Sequence, residues 1–384
     1  MNEKTTEGKS SGGTSASSSA TAMTGGRRPR IALACGGTGG HTFPGIATAR
    51  VLAARGCDVA LLQAGRAVEA RTFEGWDGEV FNTGARRSPA SIPRCVMRVW
   101  REFGRRRPDA LVVMGSYTSV PPAIAAWLRG IPVEIHEANA APGAANAFIA
   151  RFAAAAGIAF PEAKGRFPRR MRTEDVGMPL RAEFAKGAGA TRTSPDRFSL
   201  LVMGGSQGAL RLNEIVVGAV ASIRERHQEL FQRIKVTHIA GTRNEGAARA
   251  MYAAAGLGDP SVEVVGFSNE MARLYAEADF CISRAGASSC MELALAGLPA
   301  LFVPLPHLAA DHQTLNARSM AERGGGDWLP QDGLSAETLA DYIAGVAGDQ
   351  ARRRSMREAM LAASRPDAAE RFAALVLDVV GKTV

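Results

Sequence analysis

From Pro29 onward, short aliphatic or β-branched runs alternate with longer stretches of helical composition, and the alternation occurs twice. The first series comprises Arg30–Ala34, a helical stretch from about Pro44 to Arg55, Val59–Leu62, Leu111–Met114 and Val133–His136. A polar break around 187–197 follows. The second series then comprises Phe198–Met203, Ile234–Ile239, Val262–Val265, Phe280–Ser283 and Ala300–Val303. Strands spaced by helices build parallel sheets with crossover connections. The expected fold class is therefore α/β, with two Rossmann-like doubly wound domains facing a cleft. The expected limits are a disordered tail at 1–28, a first domain at 29–190, a second at 196–365 and a final segment at 366–384. The helix of that last segment, about Asp367–Val380, is expected to cross back to the first domain. A chain of 384 residues is long enough for two cores of ordinary size.

Composition narrows the class. Hydrophobic residues make up 46% and charged residues 22%, which excludes disorder throughout. The opening segment is rich in Ser, Thr, Gly and Ala and has no apolar core of the kind a secretory signal needs. The most apolar long window, Gly143–Phe160, contains Arg151 and is too short to span a bilayer, so any membrane contact is expected to be peripheral. Five scattered cysteines show no CxxC spacing, which fits neither a disulfide framework nor a zinc cage. The net charge of +9 favours anionic partners without choosing among them.

Ligands of doubly wound sheets bind beyond the carboxyl ends of the strands, and the unusual loops fall there. The first strand leads into Gly36-Gly37-Thr38-Gly39-Gly40-His41. Four glycines permit close backbone approach to a ligand, and the following helix offers unpaired N–H groups to an anion. The spacing fits neither a dinucleotide fingerprint nor a Walker loop. An imidazole at position 41 suits a general base better than it suits packing. The second half opens similarly with Gly204-Gly205-Ser206-Gln207-Gly208-Ala209, where Ser206 and a helix terminus can hold a diphosphate. A third cluster, Arg284 to Glu292, places Ser288 and Ser289 near a helix start as phosphate ligands. Its Glu292 is either an acceptor for two adjacent ribose hydroxyls or a capping-box carboxylate. Gln313 and Asn316 lie one turn apart, suited to reading a sugar. His136-Glu137-Ala138-Asn139 adds polar groups at another strand end. No Asp-x-Asp motif occurs, so a metal-independent diphosphate site is expected, with no metal and no cofactor.

Together these motifs resemble the MurG family of N-acetylglucosaminyl transferases, colinearly over nearly the whole chain after the tail. Gly36 to Pro44 is similar to the family's GGTGGHxxP, residues 136–139 to its HEQN, and Gly204 to Asn213 to its GGSQGAxxLN. Arg284 to Glu292 is similar to RSGAxTxxE, and Gly297 to Pro304 to GLPxxxxP. The resemblance implies a glycosyltransferase-B fold and inverting transfer from UDP-N-acetylglucosamine to an undecaprenyl-linked muramyl-peptide acceptor in peptidoglycan synthesis. It implies His41 and Glu137 as candidates for the base. The implied substrate contacts are Thr38, Gly39, Gly40, Asn139, Arg181, Ser206, Gln207, Phe267, Ser268, Ala287, Ser288, Ser289, Glu292 and Gln313. Phe267 and Ser268 correspond to the uracil-binding segment and Arg181 to a donor-contacting arginine. The family's GxGGYxSxP loop, which the resemblance places facing the acceptor's diphosphate, reads Val113 to Pro121 here and loses two glycines. Met178 and Ala285 also depart from the family pattern.

Eight arginines against one acid, Glu102, lie between Arg86 and Arg107, with Ile92, Val96, Val99, Trp100 and Phe103 at roughly helical spacing. This basic amphipathic segment reads either as contact with an anionic membrane surface, on the cytoplasmic face of the inner membrane, or as an ordinary helix with solvated arginines. Aromatics at 6% and the lack of a recognition motif argue against a nucleic-acid partner. The rival readings are a dinucleotide-dependent oxidoreductase, a same-fold transferase with another acceptor, and a non-catalytic sugar-nucleotide binder.

Overall fold

The computed structural model describes residues 27–37, 39–65, 73, 76–86, 88–181, 183–184, 196–205, 209–306 and 311–383. Residues 1–26 of the expected tail, 187–195 of the expected polar break, and the site candidates Thr38, Ser206 and Gln207 lie outside the described residues.

Two all-parallel sheets organise the chain. The first contains β1 (Arg30–Ala34), β2 (Asp58–Gln63), β3 (Glu79–Asn82), β4 (Ala110–Val113), β5 (Val133–Glu137), β6 (Ala155–Ile158) and β7 (Arg172–Asp175), in the order β3-β2-β1-β4-β5-β6-β7. The second contains β8 (Phe198–Met203), β9 (Ile234–Ile239), β10 (Val262–Val265), β11 (Phe280–Ser283), β12 (Ala300–Phe302) and β13 (Gly326–Trp328), in the order β10-β9-β8-β11-β12-β13. Strand order reverses between β1 and β4 in one sheet and between β8 and β11 in the other. Those are the points where a doubly wound sheet opens a ligand crevice.

The aliphatic runs make central strands because a parallel strand is covered on both faces and rewards continuous apolar sequence. The strands β3, β6, β7 and β13 went unrecognised in the sequence for the opposite reason. β3, β7 and β13 are short outer strands with polar residues, and β6 (Ala-Ala-Gly-Ile) is made of small ones. Gly157 in β6 has a packing purpose: a Cβ there would lie 2.7 Å from both Phe372 and Val176. The last helix, Ala368–Thr383, can thus lie directly on the first sheet. It buries Phe372, Val376 and Val379 with Ile31, Leu33 and Val112 in one core. Phe372 is fully buried, a contribution of about 1.5–3 kcal/mol.

The two halves also share a core, in which Ala138, Phe160, Met178 and Phe184 pack with Tyr275, Leu293 and Met320. Across it Asn316, fully buried, accepts from Ala140 N at 2.9 Å and donates to Ala285 O at 3.1 Å and Asn139 Oδ1 at 3.2 Å. One side chain therefore ties a loop of the first sheet to a loop of the second. All five cysteines are buried and unbridged.

Candidate active site

The glycine loop after β1 is shorter than the sequence suggests. The helix begins at Gly39 and runs to Ala54, so Gly39, Gly40 and His41 form its first turn instead of preceding it. Pro44 is the sixth residue of this helix, so its missing N–H forgoes one bond to the preceding turn. His41 Nδ1 lies 2.8 Å from the carbonyl oxygen of Met114. A carbonyl only accepts, so the proton must sit on Nδ1, and Nε2 carries the lone pair. Burial lowers the His41 pKa below its usual value, against the raising influence of the Met114 bond and the Glu137 charge. The imidazole is therefore neutral at neutral pH, with one nitrogen ready to accept a proton. Gly115, at φ +93°, keeps this ring in place, since a Cβ there would lie 3.1 Å from His41 Cε1.

The loop after β4 packs on the loop after β1. Thr118 Oγ1 donates to Gly36 O at 2.9 Å, and a Cβ on Gly37 would meet Ser116 Oγ at 2.7 Å. Ser116 itself stands at φ +70°, ψ +150°, a region almost reserved for glycine. It occupies one of the two places where a glycine of the family loop is lost here. The serine thus holds a backbone conformation that glycine adopts without strain.

Glu137, at the end of β5, is buried and spends both oxygens on its own loop. Oε1 accepts from Asn139 N at 2.9 Å and Asn139 Nδ2 at 3.1 Å; Oε2 accepts from Asn146 Nδ2 at 2.8 Å and Gly143 N at 3.1 Å. With four donors the carboxylate organises residues 138–146 and has little capacity left for a substrate proton. Asn139 is likewise engaged at both ends of its amide, by Glu137 and by Asn316. His136, on the same strand, bonds Gly177 O through Nε2 at 3.0 Å and packs edge-on against Phe372, and burial holds its pKa down at about 4. It anchors the crossing helix and is not part of the cleft chemistry.

In the second half, β11 leads into the helix Ala287–Ala296, whose N-cap is Gly286 in an extended conformation without a side-chain cap. Ala287, Ser288 and Ser289 in the first turn are half-buried, so the open N–H groups of the terminus face accessible space. One turn further, half-buried Glu292 accepts from Tyr275 Oη at 2.8 Å. This disposes of the capping-box alternative, since its hydrogen bond goes to a side chain of another helix. Burial raises the Glu292 pKa to about 7, opposed by the Tyr275 bond and the nearby Arg181.

Arg181 comes from the chain just beyond β7, yet it acts on Glu292 of the second half and lies over the rings of Phe43 (5.1 Å) and Phe184 (4.8 Å). It also pairs with Glu183 at 2.9 Å. Arg181 therefore links the helix bearing His41 to the helix bearing Glu292. Phe267, after β10, is 63% exposed, an open apolar ring suited to stacking. Next to it Ser268 Oγ caps Glu270 N at 3.0 Å. Gln313 turns its Oε1 to Leu305 N at 2.9 Å, which leaves its NH2 end for another acceptor. No group of three or more metal-ligating side chains occurs among the described residues.

Two residues of the sequence motifs to which no role was assigned also contribute. Asn213 is fully buried; it donates to Ala240 O at 3.0 Å and accepts from His238 Nε2 at 3.1 Å, while His238 Nδ1 meets Tyr252 Oη at 3.0 Å. This chain fixes the start of the helix that follows the second glycine loop. An asparagine on the apolar stripe of a helix was the available signal. Arg284, buried, donates to Val303 O and Pro304 O at 3.0 Å and to Gln331, joining the loops after β11 and β12. Nothing in its local sequence marked it as internal.

Glycine loops and helix starts at the switch points of two parallel sheets, with a carboxylate and an arginine between them, define a two-domain glycosyltransferase. The glycosyltransferase family 28 N-terminal domain matches residues 31–158, and the family 28 C-terminal domain matches residues 199–372. The chain belongs to the MurG family of these enzymes. It is 38% identical over 356 residues to the UDP-N-acetylglucosamine--N-acetylmuramyl-(pentapeptide) pyrophosphoryl-undecaprenol N-acetylglucosamine transferase of Aeromonas hydrophila, covering 89% of this chain and 95% of that one. The enzyme of the same description from Verminephrobacter eiseniae is 41% identical over 331 residues, covering 82% and 89%. Among solved structures, Acinetobacter baumannii MurG superposes with a TM-score of 0.74 at 30% identity, covering 91% of this chain and all of that one. The UDP-GlcNAc 2-epimerase of Neisseria meningitidis shares the fold alone, at TM-score 0.66 and 10% identity.

Proposed function

We propose that this enzyme transfers N-acetylglucosamine from UDP-N-acetylglucosamine to the undecaprenyl-linked muramyl-peptide lipid I, forming lipid II for peptidoglycan. The observation that carries the reading is the convergence of both switch points on one site, tied by Arg181 between the His41 helix and Glu292. Glu292 accepts from the ribose hydroxyls, and Phe267 stacks on the uracil. The N–H groups of Ala287, Ser288 and Ser289, with Arg181, receive the diphosphate. Ser206 and Gln207 are assigned to the diphosphate, Thr38 and Gln313 to the sugar, by their motif positions. Gly39 and Gly40 give the acceptor close access to the His41 helix.

In the reaction an acceptor hydroxyl oxygen forms its bond to the anomeric carbon as the bond to the β-phosphate oxygen breaks. The bonding pair leaves on UDP, and the hydroxyl proton passes to His41 Nε2. Attack opposite to departure inverts the centre. We assign the base to His41 and give Glu137 the task of shaping the adjoining loop, because only the imidazole has an unspent proton acceptor. Diphosphate departure is served by helix termini and an arginine, with no metal required in the proposal.

The membrane-surface assignment rests on the helix Ile92–Arg105. Its Cys95, Val99 and Phe103 are core residues, so most of the apolar stripe is internal. Arg94, Met97, Arg98, Trp100 and Arg101 remain outside, and Trp127 and Leu128 of the neighbouring helix are each 56% exposed. Cations beside open aromatic and aliphatic side chains suit an anionic bilayer surface. No helix of the described residues is long and apolar enough to cross a membrane. Peripheral placement on the cytoplasmic face, without a nucleic-acid partner, completes the proposal.

The test is UDP release from UDP-N-acetylglucosamine with and without a lipid I analogue, in excess chelator. Acceptor-dependent release is expected. Donor binding without release would transfer the assignment to another acceptor or to a silent binder. For the surface, reversing the charges of Arg94, Arg98 and Arg101 is expected to abolish sedimentation with anionic liposomes; unchanged sedimentation removes that element.

A further inference from the structure

A cavity lined by the amino-terminal edge of the first sheet lies away from the cleft. About 1020 Å³ in volume, it opens at the amino ends of β1 and β2, whereas the catalytic loops leave the carboxyl ends. A five-residue strand separates the two ends by about 16 Å. The volume is at the upper end of the roughly 300–1,000 Å³ usual for ligand pockets.

Its lining is strongly cationic, with seven arginines against two aspartates, Asp58 and Asp77. Four of the seven have work inside the fold. Arg27 pairs with Asp109, Arg30 with Asp58 and Glu79, and Arg106 with Glu79 at 3.1 Å, while Arg107 donates to the carbonyls of Arg129 and Gly130. Arg28, Arg50 and Arg105 have no hydrogen-bond or ion-pair partner among the described residues. They come from three separate elements: the segment before β1, the His41 helix and the end of the helix Ile92–Arg105. Of the nearby acids Asp58, Glu79 and Asp109 are committed to other arginines, which leaves Asp77 as the single unpaired carboxylate in the lining against three unpaired guanidinium groups. Trp76 borders the same space, and its buried Nε1–H has no acceptor among the described residues. Three unpaired guanidinium groups, all exposed around one cavity, suit an external polyanion with several acceptor oxygens.

We propose that this cavity is a second anion site, separate from the donor site, that takes clustered phosphates through Arg28, Arg50 and Arg105. Two sources carry that chemistry: a free oligophosphate, or the phosphate array of an anionic lipid surface, which the adjoining basic helix would meet at the same time.

The test uses the full chain saturated with UDP, so that the donor site is already filled. Inorganic tripolyphosphate is titrated calorimetrically into this protein and into the variant Arg28→Gln/Arg50→Gln/Arg105→Gln. Co-sedimentation of both with phosphatidylglycerol vesicles forms the second arm. At least a tenfold weaker tripolyphosphate affinity in the variant, with vesicle binding unchanged, assigns the site to a free oligophosphate. Loss of vesicle binding in the variant, together with displacement of the parent protein from vesicles by tripolyphosphate, assigns it to a lipid surface. Equal tripolyphosphate affinity and equal vesicle binding in both proteins, or no tripolyphosphate binding by the parent, overturns the proposal. None of the three arginines is in the cleft, so retained UDP release certifies the variant's fold; Arg50→Gln alone serves if the triple variant does not fold.

Discussion

Tyr275 donates its hydroxyl to Glu292 Oε2 at 2.8 Å, across the joint between two helices of the second sheet. Tyr275 is almost fully buried and packs against Phe184, which in turn lies under Arg181. A carboxylate lifted to about 7 by burial is held at that level, and no higher, by this hydroxyl and by Arg181, with Glu183 opposing. Cys281 is the other titratable group beside Tyr275. Ribose hydroxyls donate, so they bind the ionised carboxylate best. The affinity for UDP is expected to fall below about pH 7, by up to about tenfold per unit. Tyr275→Phe removes a pKa-lowering bond, so the loss should begin at higher pH. Calorimetric UDP titration between pH 5.5 and 8.5 reads both effects; identical profiles for parent and variant would deny Tyr275 this positioning role.

His41→Ala should lower kcat by about 10²–10⁴ while leaving the Kd for UDP nearly unchanged, because a base acts on the acceptor proton and not on the nucleotide. The sign of the pH effect follows from the lowered pKa. The imidazole stays neutral to a pH below the usual histidine value, so the acid limb of kcat attributable to it should lie below 6.5. Steady-state kinetics with a lipid I analogue decide this, and a parallel loss of UDP affinity would place His41 in donor binding.

Ser116→Gly should stabilise the protein by about 1–3 kcal/mol, since φ +70° with ψ +150° is strained for serine and free for glycine. Some of that gain is offset by the flexibility glycine adds to the unfolded chain. Chemical denaturation measures it. A destabilised variant would mean that the 3.3 Å contact of Ser116 Oγ with Thr118 outweighs the strain.

Glu134 on β5 is fully buried, and neither carboxyl oxygen has a partner among the described residues. Burial raises its pKa well above the ordinary value, with Arg172 opposing and Asp378 reinforcing the rise. A carboxyl whose pKa is higher folded than unfolded holds more protons when folded. Its contribution to stability is therefore complete below the unfolded pKa, about 4.3, and is lost as pH rises above it. Glu134→Met should raise the melting temperature at pH 8 and do much less at pH 4.5. An equal shift at both pH values would attribute the effect to packing instead.

Much of the molecule was legible before folding. Aliphatic runs located nine strands because a central parallel strand buries both faces, and periodicity then needs no tertiary help. Glycine loops marked both switch points because close backbone approach requires residues without side chains. Three edge strands, β3, β7 and β13, were illegible, since half-exposed positions such as β7 (Arg-Thr-Glu-Asp) tolerate polar residues as any loop does, whereas the fourth, β10 (Val-Glu-Val-Val), kept an apolar run.

What the sequence by itself determined was the class: two parallel sheets, the positions of their glycine-rich loops, and a family of transferases. What only the tertiary structure decided was the state of each group. His41 and Glu137 read alike as candidate bases until the Met114 carbonyl was found on one imidazole nitrogen and four N–H donors on the carboxylate. Likewise Glu292 gains its tuned charge from Tyr275 and Arg181, and Asn139 loses its freedom to Asn316, 177 residues away. Local sequence fixes backbone preference and burial, but protonation and hydrogen-bond capacity depend on neighbours that only folding brings together.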